Sequence, residues 1–229
     1  MFDISLPRDE ISKNFGGGIP ANSIFLVEGV DGAGKSIIAQ RLAYGALQHG
    51  ATVSYISTEL DTQSFVDQMN SVNYKITNDL LKGNLIFLPM FPAFGRSKLR
   101  SNFVESLLKA EVIFDQDVII FDTFSYLILQ ENMSREDIFE FINKLRKIIM
   151  RGKVVVFTVD TEQVNQTFLK LIRGMSDIYI NMDIQMSLGE LIRVINIKRY
   201  KRSTSASSSA IPFSVEPGTG ILIKIVSLS

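Results

Sequence analysis

Residues 23–36 read SIFLVEGVDGAGKS, in which Ile24, Phe25, Leu26 and Val27 run straight into Gly29-Val30-Asp31-Gly32-Ala33-Gly34-Lys35-Ser36. The apolar run has the length of a buried strand, and Ile37, Ile38, Leu42 and Leu47 then recur at helical spacing. A glycine-rich turn between strand and helix lets several backbone N–H groups point at one phosphate, and the helix dipole adds positive potential there. Asp31, Gly32, Ala33 and Gly34 are expected to form that cradle. Lys35 is expected to reach the β and γ phosphates of ATP, and Ser36 to put its hydroxyl on Mg²⁺.

The chain has 229 residues and is 46% hydrophobic, enough for a substantial core, so one large α/β domain over residues 1–229 is expected. No unbroken apolar segment is long enough to span a bilayer. The opening MFDISLPRDE carries acids where a secretory signal needs basic and then apolar residues, so the chain is read as cytoplasmic. The absence of cysteine excludes disulfides and thiolate chemistry. The single histidine, His49, precedes Gly50 at the end of the first helix, and a structural role against the helix carbonyls is expected. Lys plus Arg equals Asp plus Glu at 24 each, leaving no global field for nucleic acid.

Beyond the loop, strand and helix signals alternate, the pattern of a mostly parallel twisted sheet flanked by helices. Strands are predicted over 52–57, 84–89, 118–122 and 154–159, and helices around 62–70, 98–113, 134–150 and 163–174. Ser134 and Asp137 form a capping-box pattern ahead of a helical apolar stripe from Ile138 to Ile149. After Ser176 the strands 178–182, 191–198, 211–215 and 221–226 follow one another closely, which suits antiparallel hairpins extending the sheet. Residues 203–210, STSASSSA, offer nothing larger than Ala to bury, so a flexible loop is expected, either a solvated connector or a segment that orders on a partner. The preceding Lys198-Arg199-Tyr200-Lys201-Arg202 is either a solvated face or a contact with a neighbouring site.

Val118-Ile119-Ile120-Phe121-Asp122 has the form of a buried strand whose tip presents a carboxylate to Mg²⁺ through water. Thr123 follows, so a water-activating base must come from another strand tip. Glu59, just past the second strand, is either that base or a surface carboxylate opening the next helix. At the tip of the 154–159 strand, Thr158 is a better γ-phosphate sensor than Asp160, which would repel phosphate unless a cation intervened.

The loop, Asp122 and the helical insertion between them resemble the RecA/KaiC-like ATPase superfamily over nearly the whole chain. Phe15-Gly16-Gly17-Gly18-Ile19-Pro20 followed by Ser23 resembles the glycine-rich lead-in of KaiC-like proteins. Arg8-Asp9-Glu10, Gln40-Arg41-Leu42-Ala43-Tyr44-Gly45 and Ser57-Thr58-Glu59 further resemble the accessory ATPases of the archaellum, the archaeal swimming motor. That resemblance implies a RecA-like P-loop NTPase core that binds ATP and Mg²⁺. It also implies docking of the hexameric motor ATPase FlaI within a cytoplasmic ring at the inner face of the membrane, and a possible homo-oligomeric, hexameric ring.

Two departures from active KaiC-like enzymes bear on catalysis. Glu59 is followed by Leu60 where a second glutamate often stands, and a late Lys-x-Arg is replaced by Lys198-Arg199-Tyr200, with Lys198, Arg199 and Lys201 left as candidate contacts to a neighbour's γ phosphate. A nucleotide-gated assembly factor with slow or no hydrolysis is therefore expected. The alternatives are a KaiC-like ATPase or autokinase whose turnover is its output, and a RecA-type DNA recombination ATPase. Zero net charge and the lack of an aromatic and basic stripe speak against the last.

Overall fold

A computed structural model describes residues 1–7, 9–90, 103–187 and 190–224. Arg8, the start of the predicted 98–113 helix and residues 225–226 of the last predicted strand lie outside the described residues. The strands are β1 (Ser23–Gly29), β2 (Val53–Ser57), β3 (Leu85–Pro89), β4 (Val118–Asp122), β5 (Val154–Asp160), β6 (Ile178–Ser187), β7 (Glu190–Tyr200), β8 (Ala210–Glu216) and β9 (Gly220–Ile223). The helices are α1 (Ile11–Asn14), α2 (Lys35–Gln48), α3 (Thr62–Ser71), α4 (Thr77–Lys82), α5 (Phe103–Leu108), α6 (Glu111–Phe114), α7 (Phe124–Gln130), α8 (Arg135–Ile149) and α9 (Gln166–Met175).

All nine strands form one sheet in the order β3-β2-β4-β5-β1-β6-β7-β8-β9. The six from β3 to β6 are parallel, and β7, β8 and β9 continue antiparallel. This is the expected architecture: a parallel core with an antiparallel C-terminal extension. Strands buried on both faces read as unbroken apolar runs, as β1, β4 and β5 do. Alternate residues then split between two cores. Phe25 and Val27 of β1 join a cluster with α2 and the N-terminal segment, while Ile24 and Leu26 join one with α7, α8 and α9.

The predicted helix over 98–113 is two short helices in its described part. A continuous helix would put Ile113 about 240° around the axis from Leu107, whereas the break at Lys109–Ala110 lets Leu107, Ile113 and Phe114 face one core. The capping box is present: Ser134 Oγ accepts from Asp137 N–H and Asp137 Oδ2 from Ser134 N–H. His49 is structural, but its partners lie outside its own helix. Nε2 meets Ser5 O at 2.8 Å, tying α2 to the N-terminal segment.

The serine-rich stretch, expected to be flexible, is docked on residues 14–16. Thr204 N–H donates to Gly16 O at 3.3 Å, Ser208 N–H to Asn14 O at 3.2 Å, and Ser208 Oγ–H to Asn14 Oδ1 at 2.6 Å. Hydrogen bonds, not apolar burial, hold it, which is why composition gave no sign. Glycine permits the approach, because a Cβ on Gly16, at φ +65°, would stand 2.2 Å from Ser203 Oγ.

The segment 1–20 is strapped over α2. Ile4, Ile11 and Phe15 are fully buried, and Asp9 is gripped by the Arg41 guanidinium, Nε to Oδ2 at 3.0 Å and Nη2 to Oδ1 at 2.6 Å. Arg41 Nη1 also donates to Ile4 O at 2.6 Å, so this buried pair is bonded on both sides.

Candidate functional site

The loop 30–34 joins β1 to α2 with Gly32 and Gly34 at φ +71° and +94°, a conformation open to glycine. Gly34 starts the helix through Ile38 N–H to its carbonyl at 3.1 Å. Asp31 folds its carboxylate onto Gly32 N–H at 2.8 Å, and Ala33 N–H reaches Val30 O at 3.3 Å. Lys35 is tucked inside this turn, with Nζ donating to Val30 O at 2.7 Å and to Asp160 Oδ2 at 3.3 Å. Both partners of that ion pair are buried. A cation thus stands beside Asp160, and it is the loop lysine.

β4 brings Asp122 beside the loop, where Ser36 Oγ–H donates to Oδ1 at 3.0 Å. Thr158 Oγ–H, from β5, donates to the same oxygen at 2.6 Å, so this fully buried hydroxyl is engaged with Asp122. The other oxygen, Oδ2, accepts from Tyr55 OH of β2 at 2.6 Å. Burial raises the Asp122 carboxyl above its ordinary range, while the hydroxyls of Thr158, Tyr55 and Ser36 pull the other way. Burial and then the Asp122 charge push the Tyr55 hydroxyl well above 10, so it remains a donor.

Glu59 stands exposed on the rim, with Oε1 accepting from Thr123 Oγ–H at 3.0 Å. It shares with Lys35, Ser36, Thr123 and Asp160 a cavity of about 370 Å³, whose apolar wall is Ile37, Val72 and Val215. Arg193 of β7 enters the same cavity and caps the loop from outside, Nε donating to Gly32 O at 3.0 Å. A larger cavity, about 680 Å³, lies at the far end of α2 among Leu6, Tyr44, His49 and Tyr74. It shares no residue with the phosphate loop, and chemistry rather than volume selects the candidate site.

The basic segment does not join this constellation within one chain. Tyr200 pairs with Ile178 at the end of the sheet where β1 begins, whereas Arg193 pairs with Ile184 beyond the loop end. Arg199 Nη1 donates to Arg173 O at 2.6 Å and Ser176 O at 2.9 Å, closing the C-terminus of α9. Lys201 pairs with Asp177 at 3.3 Å, and Lys198 is exposed.

Tyr55 and Arg193 escaped the sequence reading. Each is one of several polar side chains in its strand, beside Ser54 and Ser57 in β2 and Asn196 and Lys198 in β7, and is singled out only when the neighbouring strand is known. No group of three or more His, Cys, Asp or Glu side chains could hold a metal among the described residues. One carboxylate with one hydroxyl still fits Mg²⁺, which keeps several waters and takes its other ligands from phosphates. No helix among the described residues is long and apolar enough to cross a membrane.

The KaiC ATPase family model matches residues 8–226. The archaeal flagellar ATP-binding protein FlaH of Methanocaldococcus jannaschii is 34% identical, with 99% of this chain and 97% of that protein covered. FlaH of Methanococcus voltae is 33% identical, with 99% and 98% covered. The crystal structure of the M. jannaschii flagellar accessory protein FlaH superposes with a TM-score of 0.92 at 33% identity, covering 99% of this chain and all of that one. A KaiC-like protein of Pyrococcus horikoshii shares the fold, with a TM-score of 0.76 at 18% identity over 95% and 96% of the two chains.

Proposed function

The chain belongs to the KaiC family of ATPases and, within it, to the archaeal flagellar proteins named FlaH, and from that premise we propose that it binds Mg·ATP at the 30–36 loop and uses occupancy, rather than rapid turnover, as its output. The observation that carries the reading is the meeting of Lys35 and Ser36 on one cavity beside a glycine cradle, with the buried Asp122 carboxylate bonded directly behind Ser36. Lys35 would contact the β and γ phosphates, Ser36 and Asp122 would hold Mg²⁺, the latter through water, and the backbone of 31–34 would receive the phosphates. When bound, the metal neutralises the phosphate oxygens. Asp160, paired with Lys35, would stand beside the phosphates, and Thr158 would bear on the site through Asp122.

Hydrolysis is slow in this reading because Glu59 is the lone candidate base. Its carboxylate is held by Thr123 rather than aimed by a second acid. The partner is the motor ATPase FlaI in a cytoplasmic ring at the inner face of the membrane, engaged according to nucleotide state. Turnover as the output is the second reading, favoured by the place of Glu59 on the cavity rim.

Calorimetry with Lys35→Ala tests the binding claim. Loss of the loop's only side-chain cation lowers ATP affinity by about one to three orders of magnitude, as for a desolvated charge-assisted contact. Undiminished binding refutes it.

A further inference from the structure

Asp122 meets Ser36 and Thr158 through Oδ1, and only Tyr55 fixes Oδ2. The Tyr55 ring is fully buried, packed on Phe65 at 4.8 Å and Phe87 at 6.1 Å between centroids. Its hydroxyl is therefore placed by a rigid aromatic cluster rather than by a mobile side chain. β2 and β4 are neighbours in register, Ser57 opposite Asp122, so the tyrosine reaches the carboxylate from two residues back along the adjoining strand.

Resting on the reading that Asp122 serves Mg²⁺, we infer that Tyr55 is the positioning residue of the metal site. It holds Oδ2 on the protein side and so keeps Oδ1 on the side of Ser36, the orientation in which the carboxylate would serve the metal. Partners of this kind, one step behind a metal ligand, change metal affinity by about 10 to 100 fold when removed.

The test compares the wild-type chain, Tyr55→Phe and Ser36→Ala by titrating Mg²⁺ into each with a fluorescent ATP analogue, and by measuring analogue binding in EDTA. Tyr55→Phe keeps the ring and deletes one oxygen. It is expected to weaken apparent Mg²⁺ affinity about tenfold or more, while leaving the chain folded and its metal-free nucleotide affinity close to wild type. If wild type and Ser36→Ala differ in Mg²⁺ affinity but Tyr55→Phe matches wild type, this inference is overturned and the nucleotide reading stands. A wild-type chain indifferent to Mg²⁺ overturns both. Equal weakening with and without metal, or loss of the fold, makes the hydroxyl a folding element and overturns the positioning role.

Discussion

In the proposed reading a phosphate competes for Lys35 with Asp160 Oδ2, 3.3 Å away and buried with it. Binding would then weaken an ion pair and bring the anion up to a carboxylate. Asp160→Asn removes both penalties, and ATP affinity is expected to rise about tenfold, as for the loss of one competing charge-assisted contact. Equilibrium binding checks it, and a lower affinity would mean that Asp160 supports the bound state instead. Lys35 and Ser36 were legible in the sequence because loop chemistry fixes their residue types and spacing, and Asp122 because an acid closes the apolar run 118–121. Asp160 was legible only as a problem, a carboxylate lacking a cation. Tyr55 and Arg193 were not legible, since their partners Asp122 and Gly32 lie 67 and 161 residues away in sequence and meet them through strand order.

Among elements, α8 shows local sequence deciding local structure. Ser134 and Asp137 satisfy each other's N–H groups, so Ser134→Ala is expected to cost about 1 kcal/mol in denaturant unfolding. Hydrogen bonds from the Ser134 side chain and then its N–H hold the Asp137 carboxyl below its unfolded value of 3.8. The folded state thus binds that proton less readily, so Asp137's contribution is present above about pH 4 and lost as acid protonates it. Melts of wild type and Asp137→Asn should accordingly differ at neutral pH and converge in strong acid. The short helices α4 and α7 were not legible. α4 buries none of its side chains and so has no apolar stripe, and α7 is only seven residues long and follows Asp122 of β4 through Thr123, an N-cap that makes no side-chain capping bond. The division at Lys109–Ala110 was hidden for a related reason, because it is dictated by which core Ile113 must face rather than by a Gly or Pro.

At the scale of the molecule, two stretches that set this sequence apart have a structural explanation. Arg41 grips Asp9, and Gly45 lets the N-terminal strap close, since a Cβ there would stand 2.7 Å from Ile4 O. Asp9→Asn leaves the Arg41 charge buried and unneutralised, and is expected to cost about 3 to 5 kcal/mol of stability, seen as a lowered denaturation midpoint. The basic segment requires a sharper test than its charge suggested. Arg199 and Lys201 hold α9 and Asp177, so neutralising them perturbs the fold, whereas Lys198→Ala removes an exposed charge alone. If nucleotide state governs partner docking, FlaI affinity should change about 5 to 150 fold between ATP-bound and empty protein, and Lys198→Ala should narrow that ratio without altering ATP affinity. Equal FlaI affinity in every nucleotide state would reduce the chain to a passive scaffold. The two-part sheet was legible from the run of strand signals, but its order, with β5 inserted between β1 and β4, was not, because pairing across more than 100 residues leaves no local trace. The strap also sets a timetable for synthesis. Asp9 can find Arg41 soon after α2 leaves the ribosome, but Gly16 must wait for Thr204 and Gly18 for the Tyr200 hydroxyl, so a segment made before α2 is secured only after β7 and the serine-rich stretch have followed.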